Sequence, residues 1–416
     1  MDRLTRIPHE LLDEILTLID CDEMRIRLNT FVALSRVSKP LQSRVTRFLY
    51  RIFEVSPRIY LLLRTVLNRP DLASYIHTVQ LQLWSPAIAN NSAYGIEATY
   101  NDADGMLLEA VISPSKQVLM PELRARLMDA AVAVLLVQLQ NLKSVVLEVK
   151  DGKNPMRITR VLKALITSAV ANPPYFPFLE HVKFIVPSYR PARPCHPRFD
   201  LSLLASFFIR FPAIRTVCIS AITVDVWPQA MPLASTLSSL SMSSDRFEVL
   251  KQLLVGCPNL RYLNYTLSID VRILGRCVQC EGLRRALLFV TGTLEELVLG
   301  IKLWNGKTES LEELDDKATI GRIGSLRKLK KLQKLTILTE MLLGTDCLDR
   351  PVLKDVVPQG LHELWVVDAT GRIDRVELME SISKLWNARN EYAPQLEMAG
   401  LMEEGRSQGD WAVLKV

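Results

Sequence analysis

LRYLNYTL at residues 260–267 and LEELVLGI at residues 294–301 are two copies of one pattern, with apolar or aromatic residues at the first, fourth and sixth places. Similar phrases begin at residues 76, 142, 179, 214, 237, 332 and 361. A period of two predicts strands that bury one face. Segments between the phrases, such as DRFEVLKQLLVGC (245–257), have helical character. The sequence therefore predicts an α/β chain in which strands and helices alternate.

From residue 142 onward, successive phrases start 23 to 38 residues apart. Strands and helices that recur at this spacing are typical of a leucine-rich-repeat solenoid with a parallel sheet. The uneven spacing makes the repeats irregular. The alternative is an ordinary α/β domain with buried parallel strands. We predict the irregular solenoid for residues 55–416, ending in a C-terminal cap.

Three helices are predicted in residues 1–54. The first begins at Pro8, because proline suits the first helical position, and ends near Ile19. The second covers about residues 23–35, and the third follows Ser38, a good N-cap residue. Apolar residues recur at helical spacing along the first helix. A helical module of this size offers little core of its own. We therefore expect the apolar face of the first helix to pack against a partner.

The blocks IPHELLDEIL (7–16), LSRVSKPLQ (34–42) and FLYR (48–51) resemble an F-box in their order and spacing. Ile7 stands where the family has leucine, and the tryptophan that many members carry in the third helix is missing. The resemblance covers roughly the first fifty of 416 residues. It implies a non-catalytic, substrate-recognition subunit of an SCF-type (cullin–RING) ubiquitin ligase. The F-box would bind a Skp-type adaptor and, through it, a cullin scaffold.

The resemblance also implies which residues bind the adaptor, and the apolar spacing predicts the same helix-in-groove contact. They are Pro8, Leu11, Leu12, Ile15, Leu16, Val37, Ser38 and Leu41. Two alternatives stay open. The chain could be an F-box protein that acts outside ubiquitination, or a repeat scaffold whose first helices cap the solenoid.

The substrate site is predicted from strand alternation, which turns the leucines toward the core and the residues between them toward the other face. In the C-terminal half, that face carries a tyrosine and a tryptophan, residue types enriched in interface hot spots. The predicted substrate-binding residues are Tyr262, Asn264, Glu296, Lys334, Glu363 and Trp365. The substrate would be a protein. Alternatively, Trp365 packs against the helix near Leu385 and Trp386.

The motifs predict no enzyme, cofactor or metal site. GxSxG, HExxH and the phosphate loop ending in GK[ST] do not occur. The CVQC at residues 277–280 has no second cysteine pair at zinc-ligand spacing. Six Lys or Arg fall in residues 322–334, but apolar residues recur there every third position and no aromatic residue interleaves. Nucleic acid is therefore disfavoured as a partner.

Charge is unevenly distributed along the chain. Residues 1–23 hold two Arg and seven Asp or Glu, a net −5, whereas residues 24–70 hold ten Arg or Lys and one Glu, a net +9. A basic block behind an acidic helix predicts an acidic partner surface. No apolar run is long enough to span a membrane, and the N-terminus lacks a signal core. With seven irregularly spaced Cys, these features predict a cytoplasmic or nuclear protein.

Overall fold

The structure is a computed structural model. It describes residues 7–20, 24–55, 59–83, 128–149, 176–185, 211–222, 234–244, 247–270, 280–304, 320–344, 352–368, 375–403 and 412–415. The chain divides into two compact units. The units are Met1–Lys153 with Arg157–Phe184, and Asn154–Met156 with Ile185–Val416.

The described part of the first unit begins with three helices and continues with strands. Its elements are α1 His9–Ile19, α2 Met24–Ser35, α3 Lys39–Arg51, β1 Ile52–Val55, α4 Ile59–Asn68, α5 Pro70–Ala73, β2 Thr78–Leu83, α6 Met128–Gln138, β3 Ser144–Val149 and β4 His181–Ile185. β1 pairs with β2 and β2 with β3, both parallel, and β4 follows β3 in the strand order.

The second unit carries the remaining strands. Its elements are β5 Thr216–Ile222, β6 Ser239–Ser244, α7 Phe247–Gly256, β7 Tyr262–Asp270, α8 Glu281–Leu287, a 3-10 turn Leu288–Val290, β8 Glu296–Trp304, β9 Lys334–Leu338, α9 Thr339–Leu343, α10 Leu353–Val356, β10 Glu363–Asp368, α11 Arg375–Asn387, α12 Arg389–Tyr392, β11 Met398–Glu403 and β12 Ala412–Lys415. Strands β5 to β11 pair in chain order and parallel, and β12 joins β11 antiparallel. The prediction of an α/β chain with a long parallel sheet is confirmed.

One backbone turn precedes most of the strands. Its fourth residue donates its N–H to the carbonyl of its first, as from Leu260 to Cys257 at 3.3 Å and from Leu396 to Ala393 at 2.9 Å. The same bond precedes β2 to β7, β9 and β11. The first and fourth residues of these turns are buried and apolar, whereas the two residues between them face outward. The phrases found in the sequence thus begin at the closing residue of each turn.

Side chains link successive turns as well. The Asn259 amide donates to the Ser235 carbonyl at 2.7 Å, and the Thr236 hydroxyl lies 2.7 Å from the Pro212 carbonyl. In the first unit, the Asn141 amide donates to the Ser74 carbonyl at 2.8 Å. Each bond joins the turn before one strand to the turn before its neighbour. These bonds pair polar groups at the N-terminal ends of the strands and help to fix the strand register.

Burial alternates along the strands as the phrases predict. In β6 and in the first four residues of β10, half-buried and buried residues follow one another strictly. On β8, Leu297 and Leu299 are buried to 0% and 2% exposure, while Glu296 and Val298 lie half-buried on the other face. One face of the sheet therefore forms the core and the other carries mixed polar side chains.

The three N-terminal helices have a hydrophobic core of their own. It consists of Leu12, Leu16, Phe31, Leu41, Val45 and Phe48. The rings of Phe31 and Phe48 lie 5.7 Å apart. Ser38 caps α3, since its hydroxyl accepts a hydrogen bond from the Leu41 N–H at 3.4 Å. The expectation that this module lacks a core is therefore wrong, because α2 and α3 supply the apolar partners.

No linker separates the helices from the sheet. α3 ends at Arg51, and β1 begins at the next residue, within the predicted 1–54 module. The Arg27 guanidinium donates to the carbonyl of Ile52 at 3.3 Å, which joins α2 to the first residue of β1. The compact units divide the chain near residue 184 and place these helices with β1 to β4. Within the described ranges, no helix has both the length and the apolar composition needed to cross a bilayer.

Candidate functional site

An apolar stripe lies exposed along α1. We define the α1 stripe as Pro8, Leu11, Ile15 and Leu18. The side chains of Leu11, Ile15 and Leu18 are 52%, 44% and 68% exposed, and Pro8 is exposed at the helix start. Spacings of three and four residues place all four on one side of the helix. The stripe is the largest run of exposed apolar residues on a described helix of the first unit.

The residues predicted to bind an adaptor divide between this stripe and the core. Leu12, Leu16 and Leu41 are 8%, 0% and 5% exposed and belong to the module core, so none of them offers a surface to a partner. Val37 is 55% exposed, in the turn between α2 and α3. Ser38 is the cap of α3. The structure thus leaves Pro8, Leu11, Ile15 and Val37 available on the surface.

Asp13 of α1 and Asp20, the residue that follows α1, pair with arginines of the same module. Asp13 contacts Arg44 at 3.4 Å and also contacts Arg47, while Asp20 contacts Arg51 at 2.9 Å. The hydrogen bond from Arg47 is the main cause that lowers the pKa of Asp13 below its ordinary value. The basic block was expected to meet an acidic partner surface. Five of its arginines form ion pairs within the chain: Arg27, Arg44, Arg47, Arg51 and Arg69. The acidic partner surface stays a prediction.

The most buried ion pair of the module joins Asp20 to Arg27. The Arg27 Nη1 lies 2.7 Å from the Asp20 carboxylate, and the two side chains are 2% and 6% exposed. Arg27 also donates to the carbonyls of Phe48 and Ile52. A buried guanidinium needs several such partners, because leaving it unpaired is costly. The pair therefore fixes how the three helices meet β1.

In the second unit, four of the predicted substrate-binding residues form one row across neighbouring strands. Tyr262 of β7 is level with Glu296 of β8, Glu296 with Lys334 of β9, and Lys334 with Glu363 of β10. All four are exposed or half-buried. Neighbouring strands lie about 4.8 Å apart, so the row spans roughly 14 Å.

The other two predicted residues belong to the next row. Asn264 and Trp365 occupy it on β7 and β10, with Val298 and Thr336 between them. They are therefore three strand spacings apart, and the structure does not bring them into contact. Val298 and Thr336 line the same face, half-buried, between the two predicted groups. Strand alternation already predicts Val298 and Thr336 on this face, and the strand register adds that they lie between Asn264 and Trp365.

Charge pairs hold the first row and the residues just before it. The Lys334 Nζ lies 2.6 Å from a Glu363 oxygen, and this hydrogen bond is the main cause that raises the pKa of Lys334. At the edge of the same strands, Arg261 lies 3.6 Å from Glu295. Exposed pairs of this kind contribute little stability. Each of these charged side chains can therefore leave its present ion pair and pair with a charged group of a binding partner.

Two aromatic residues give the face its largest side chains. Burial raises the pKa of the Tyr262 hydroxyl, and a side-chain hydrogen bond with Asn264 partly offsets that effect. Trp365 is half-buried between Leu364 and Val366, both 0% exposed. Strand alternation therefore places its indole on the face opposite the core.

Three free cysteines, Cys218, Cys257 and Cys280, lie among the residues that the structure describes. Among the described residues, no group of three His, Cys, Asp or Glu could hold a metal ion. Cys280 is buried, and its CVQC partner Cys277 lies outside the described residues. Burial raises the pKa of the Cys257 thiol to about 12, which keeps it protonated and unreactive.

Comparisons with known proteins assign no family. No protein-family model matches the chain, and no curated protein matches it. A crystal structure of a protein from Bacteroides fragilis is similar over 39% of this chain and 61% of that one, at 11% identity and a TM-score of 0.17. This chain therefore spans less than two thirds of that protein's length. A likeness at this TM-score carries no argument about fold or function.

Sequence reasoning missed Leu18 and the Asp20–Arg27 pair. Leu18 was detectable, because residues 11, 15 and 18 form one helical stripe and residues 12, 16 and 19 form a second beside it. Two apolar stripes on one helix indicate two packing surfaces. The Asp20–Arg27 pair had only a weak signal, the opposite charges of the first two helices. Which arginine is buried depends on the crossing of α2 and α3.

Proposed function

We propose that this protein is a substrate-recognition adaptor of an SCF-type (cullin–RING) ubiquitin ligase, acting in the cytoplasm or nucleus. Its first three helices would be an F-box that binds a Skp-type adaptor, and its strands and helices an irregular leucine-rich-repeat solenoid that binds a protein substrate. The α1 stripe is the observation that carries the proposal. α1 contributes Leu12 and Leu16 to a core and still leaves Leu11, Ile15 and Leu18 exposed.

An exposed apolar stripe on a helix needs a reason. Single exposed apolar residues are ordinary, but three at helical spacing beside a complete core favour a docking surface. Each leucine-sized side chain contributes roughly 1.5–3 kcal/mol when it is fully buried. A partner groove that covers Leu11, Ile15 and Leu18 could therefore gain several kcal/mol. The contact would be of the helix-in-groove type.

The protein would supply no catalytic residue in this role. Holding a substrate on the same complex as a charged conjugating enzyme raises the effective concentration of the substrate's lysines. The face made by Tyr262, Glu296, Lys334, Glu363 and Trp365 would contact the substrate. It combines aromatic side chains with exchangeable charge pairs, a composition that suits protein recognition.

The test of this proposal is assembly and activity with purified components. The full chain should form a stable complex with a Skp-type adaptor and its cullin in size-exclusion chromatography. The assembled complex, with a conjugating enzyme and ubiquitin, should modify a protein captured by the second unit. Assembly with the adaptor but not with the cullin would favour an F-box protein that acts outside ubiquitination. No complex with the adaptor would contradict the proposal.

A repeat scaffold is the second candidate, and one observation favours it. α3 continues directly into β1, and Arg27 of α2 donates to the carbonyl of Ile52. Helices attached in this way can cover the open edge of the first strand, as terminal repeats must. In that case the module would stabilise the first unit without binding an adaptor. Removal of residues 1–51 would then lower the melting temperature, and the α1 stripe would bind nothing.

A further inference from the structure

Ser325 is an exposed serine in the segment that leads to β9. Its neighbours Ile323 and Leu326 are 0% and 2% exposed, and their backbone N–H groups donate to Met341 and Val356. The segment is therefore held on both sides of the serine while Ser325 itself faces outward. Its hydroxyl donates to the Asp355 carbonyl at 3.1 Å and accepts from the Arg327 N–H at 3.4 Å.

The sequence around Ser325 is distinctive within this chain. Ser325 is the only serine of the 416 residues with an arginine three positions before it, Arg322. Arg327 and Lys328 follow it directly after Leu326. A kinase with carboxylates beside its substrate groove selects serines flanked by such cations, because guanidinium–carboxylate pairs form strong, directional hydrogen bonds. Arg322, Arg327 and Lys328 are all exposed, so a kinase can reach them.

The surroundings of Ser325 also suit a phosphate. The Arg327 N–H already points at the serine oxygen, and its guanidinium is positioned by a hydrogen bond to the Lys354 carbonyl at 3.2 Å. Arg284 passes beside Gly324, whose φ is +78°; a Cβ built there would lie 3.7 Å from the Arg284 Nε. The Arg284 guanidinium is itself paired with Glu281, to whose oxygens it donates at 2.7 and 2.6 Å, so the Arg327 N–H is the donor that contacts Ser325 directly. Asp355, whose carbonyl accepts a hydrogen bond from the Ser325 hydroxyl, is exposed, and its negative charge opposes a phosphate there.

We propose that Ser325 is a phosphorylation site for a serine kinase that selects basic substrates, and that the surrounding arginines hold the phosphate. The Ser325 Oγ attacks the γ-phosphorus of Mg·ATP and forms the new P–O bond. The bond from that phosphorus to the bridging oxygen breaks, ADP leaves, and a kinase carboxylate takes the hydroxyl proton. The phosphate then accepts hydrogen bonds from the Arg327 N–H and from guanidinium groups, which phosphate favours strongly. This site is independent of the proposed ligase function.

Thr30 provides an internal control. It is the only threonine with an arginine three residues before it, Arg27. However, Arg27 is 1% exposed, and the Thr30 hydroxyl donates to the Ile26 carbonyl within α2. A kinase cannot read that arginine without unfolding the helix. The arginine three residues before the hydroxyl is therefore exposed at Ser325 and buried at Thr30.

The experiment treats the full chain with the catalytic subunit of cAMP-dependent protein kinase and Mg·ATP, and maps phosphate by tandem mass spectrometry. We expect one phosphate per chain, on Ser325, and none on Thr30. Ser325→Ala should remove it, and Arg322→Gln should slow its incorporation by about tenfold or more, the effect of losing one charge-assisted hydrogen bond. A synthetic peptide of residues 319–331, with and without Arg322→Gln, measures the same effect where no fold is involved.

Two results would overturn the proposal. One is phosphorylation of the peptide but not of Ser325 in the folded chain, which would mean that the fold shields the serine. The other is unchanged incorporation in the Ser325→Ala chain. The second half of the proposal is tested by melting: the phosphorylated chain should melt at a higher temperature than the unmodified one, and Arg327→Gln should reduce that gain. A lower melting temperature after phosphorylation would show that the arginines do not hold the phosphate.

Discussion

α1 and the strands β7 to β10 use their apolar residues in different ways. On the strands, burial alternates, and the core residues are those that the period of two selects. On α1, apolar residues occupy two adjacent stripes, of which Leu12 and Leu16 are buried and Leu11, Ile15 and Leu18 are exposed. A strand has only two faces, so a pattern decides which one is core. A helix can turn several faces outward, so its pattern leaves the choice open.

The largest expected effect tests this difference directly. Leu16→Ala in α1 and Leu297→Ala in β8 both remove fully buried side chains, so each should lower the free energy of unfolding by about 2–5 kcal/mol. Leu11→Ala on the exposed stripe should change it by less than about 0.5 kcal/mol. Urea unfolding of the three variants measures these values. If Leu16→Ala behaved like Leu11→Ala, the two stripes of α1 would not differ as described.

Adjacent residues of β10 sharpen the comparison on the strand side. Leu364 is 0% exposed and faces the core, whereas Trp365 is half-buried on the other face. Leu364→Ala should lower the free energy of unfolding by about 2–5 kcal/mol. Trp365→Ala should lower the melting temperature less, although tryptophan is the larger residue, and should weaken substrate capture. Equal losses of stability in the two variants would favour the alternative in which Trp365 packs against the helix near Leu385.

The links between turns should contribute a smaller amount. Asn259→Ala removes the amide that donates to the Ser235 carbonyl at 2.7 Å, so it should cost about 1 kcal/mol. Gln395→Ala is the matched control, because Gln395 holds the same place in the turn before β11 and its amide makes no hydrogen bond among the described residues. Thermal melting compares the two. If Gln395→Ala lowered the melting temperature as much as Asn259→Ala, the Asn259 amide would have no special stabilising role.

The smallest expected effect concerns the charged side of α1. Its pairing with Arg47 lowers the pKa of Asp13 below the ordinary 3.8. A lowered folded-state pKa means that the pair stabilises the fold above about pH 4 and that this contribution disappears as pH falls through the folded-state value. The melting temperature of wild type should therefore exceed that of Asp13→Asn at about pH 6, and the difference should shrink as pH falls below about 4. A difference independent of pH would contradict the pairing.

The parallel sheet was predictable because nine strands, β2 to β10, repeat the same short pattern, and local alternation fixes which residues each of them buries. The register between strands was not predictable, since the lengths of the connecting segments vary. Alternation places Val298 and Thr336 on the same face as the predicted site, but only the structure shows that they lie level with Asn264 and Trp365. On α1, the pattern showed the apolar residues but not how they divide. That division depends on Phe31 of α2 and Phe48 of α3, and the sequence of α1 alone does not show where these two side chains pack.

In the proposed function, the α1 stripe is a docking surface and does not stabilise the fold. The most direct measurement is calorimetric titration of a Skp-type adaptor into wild type, into Leu11→Asp with Ile15→Asp, and into Val255→Asp. Val255 is 50% exposed on α7, in the second unit, and controls for adding a charge at an exposed apolar position. We expect the double variant to keep the wild-type melting temperature and lose at least about a hundredfold in affinity, while Val255→Asp binds as wild type. Wild-type affinity in the double variant would contradict the account.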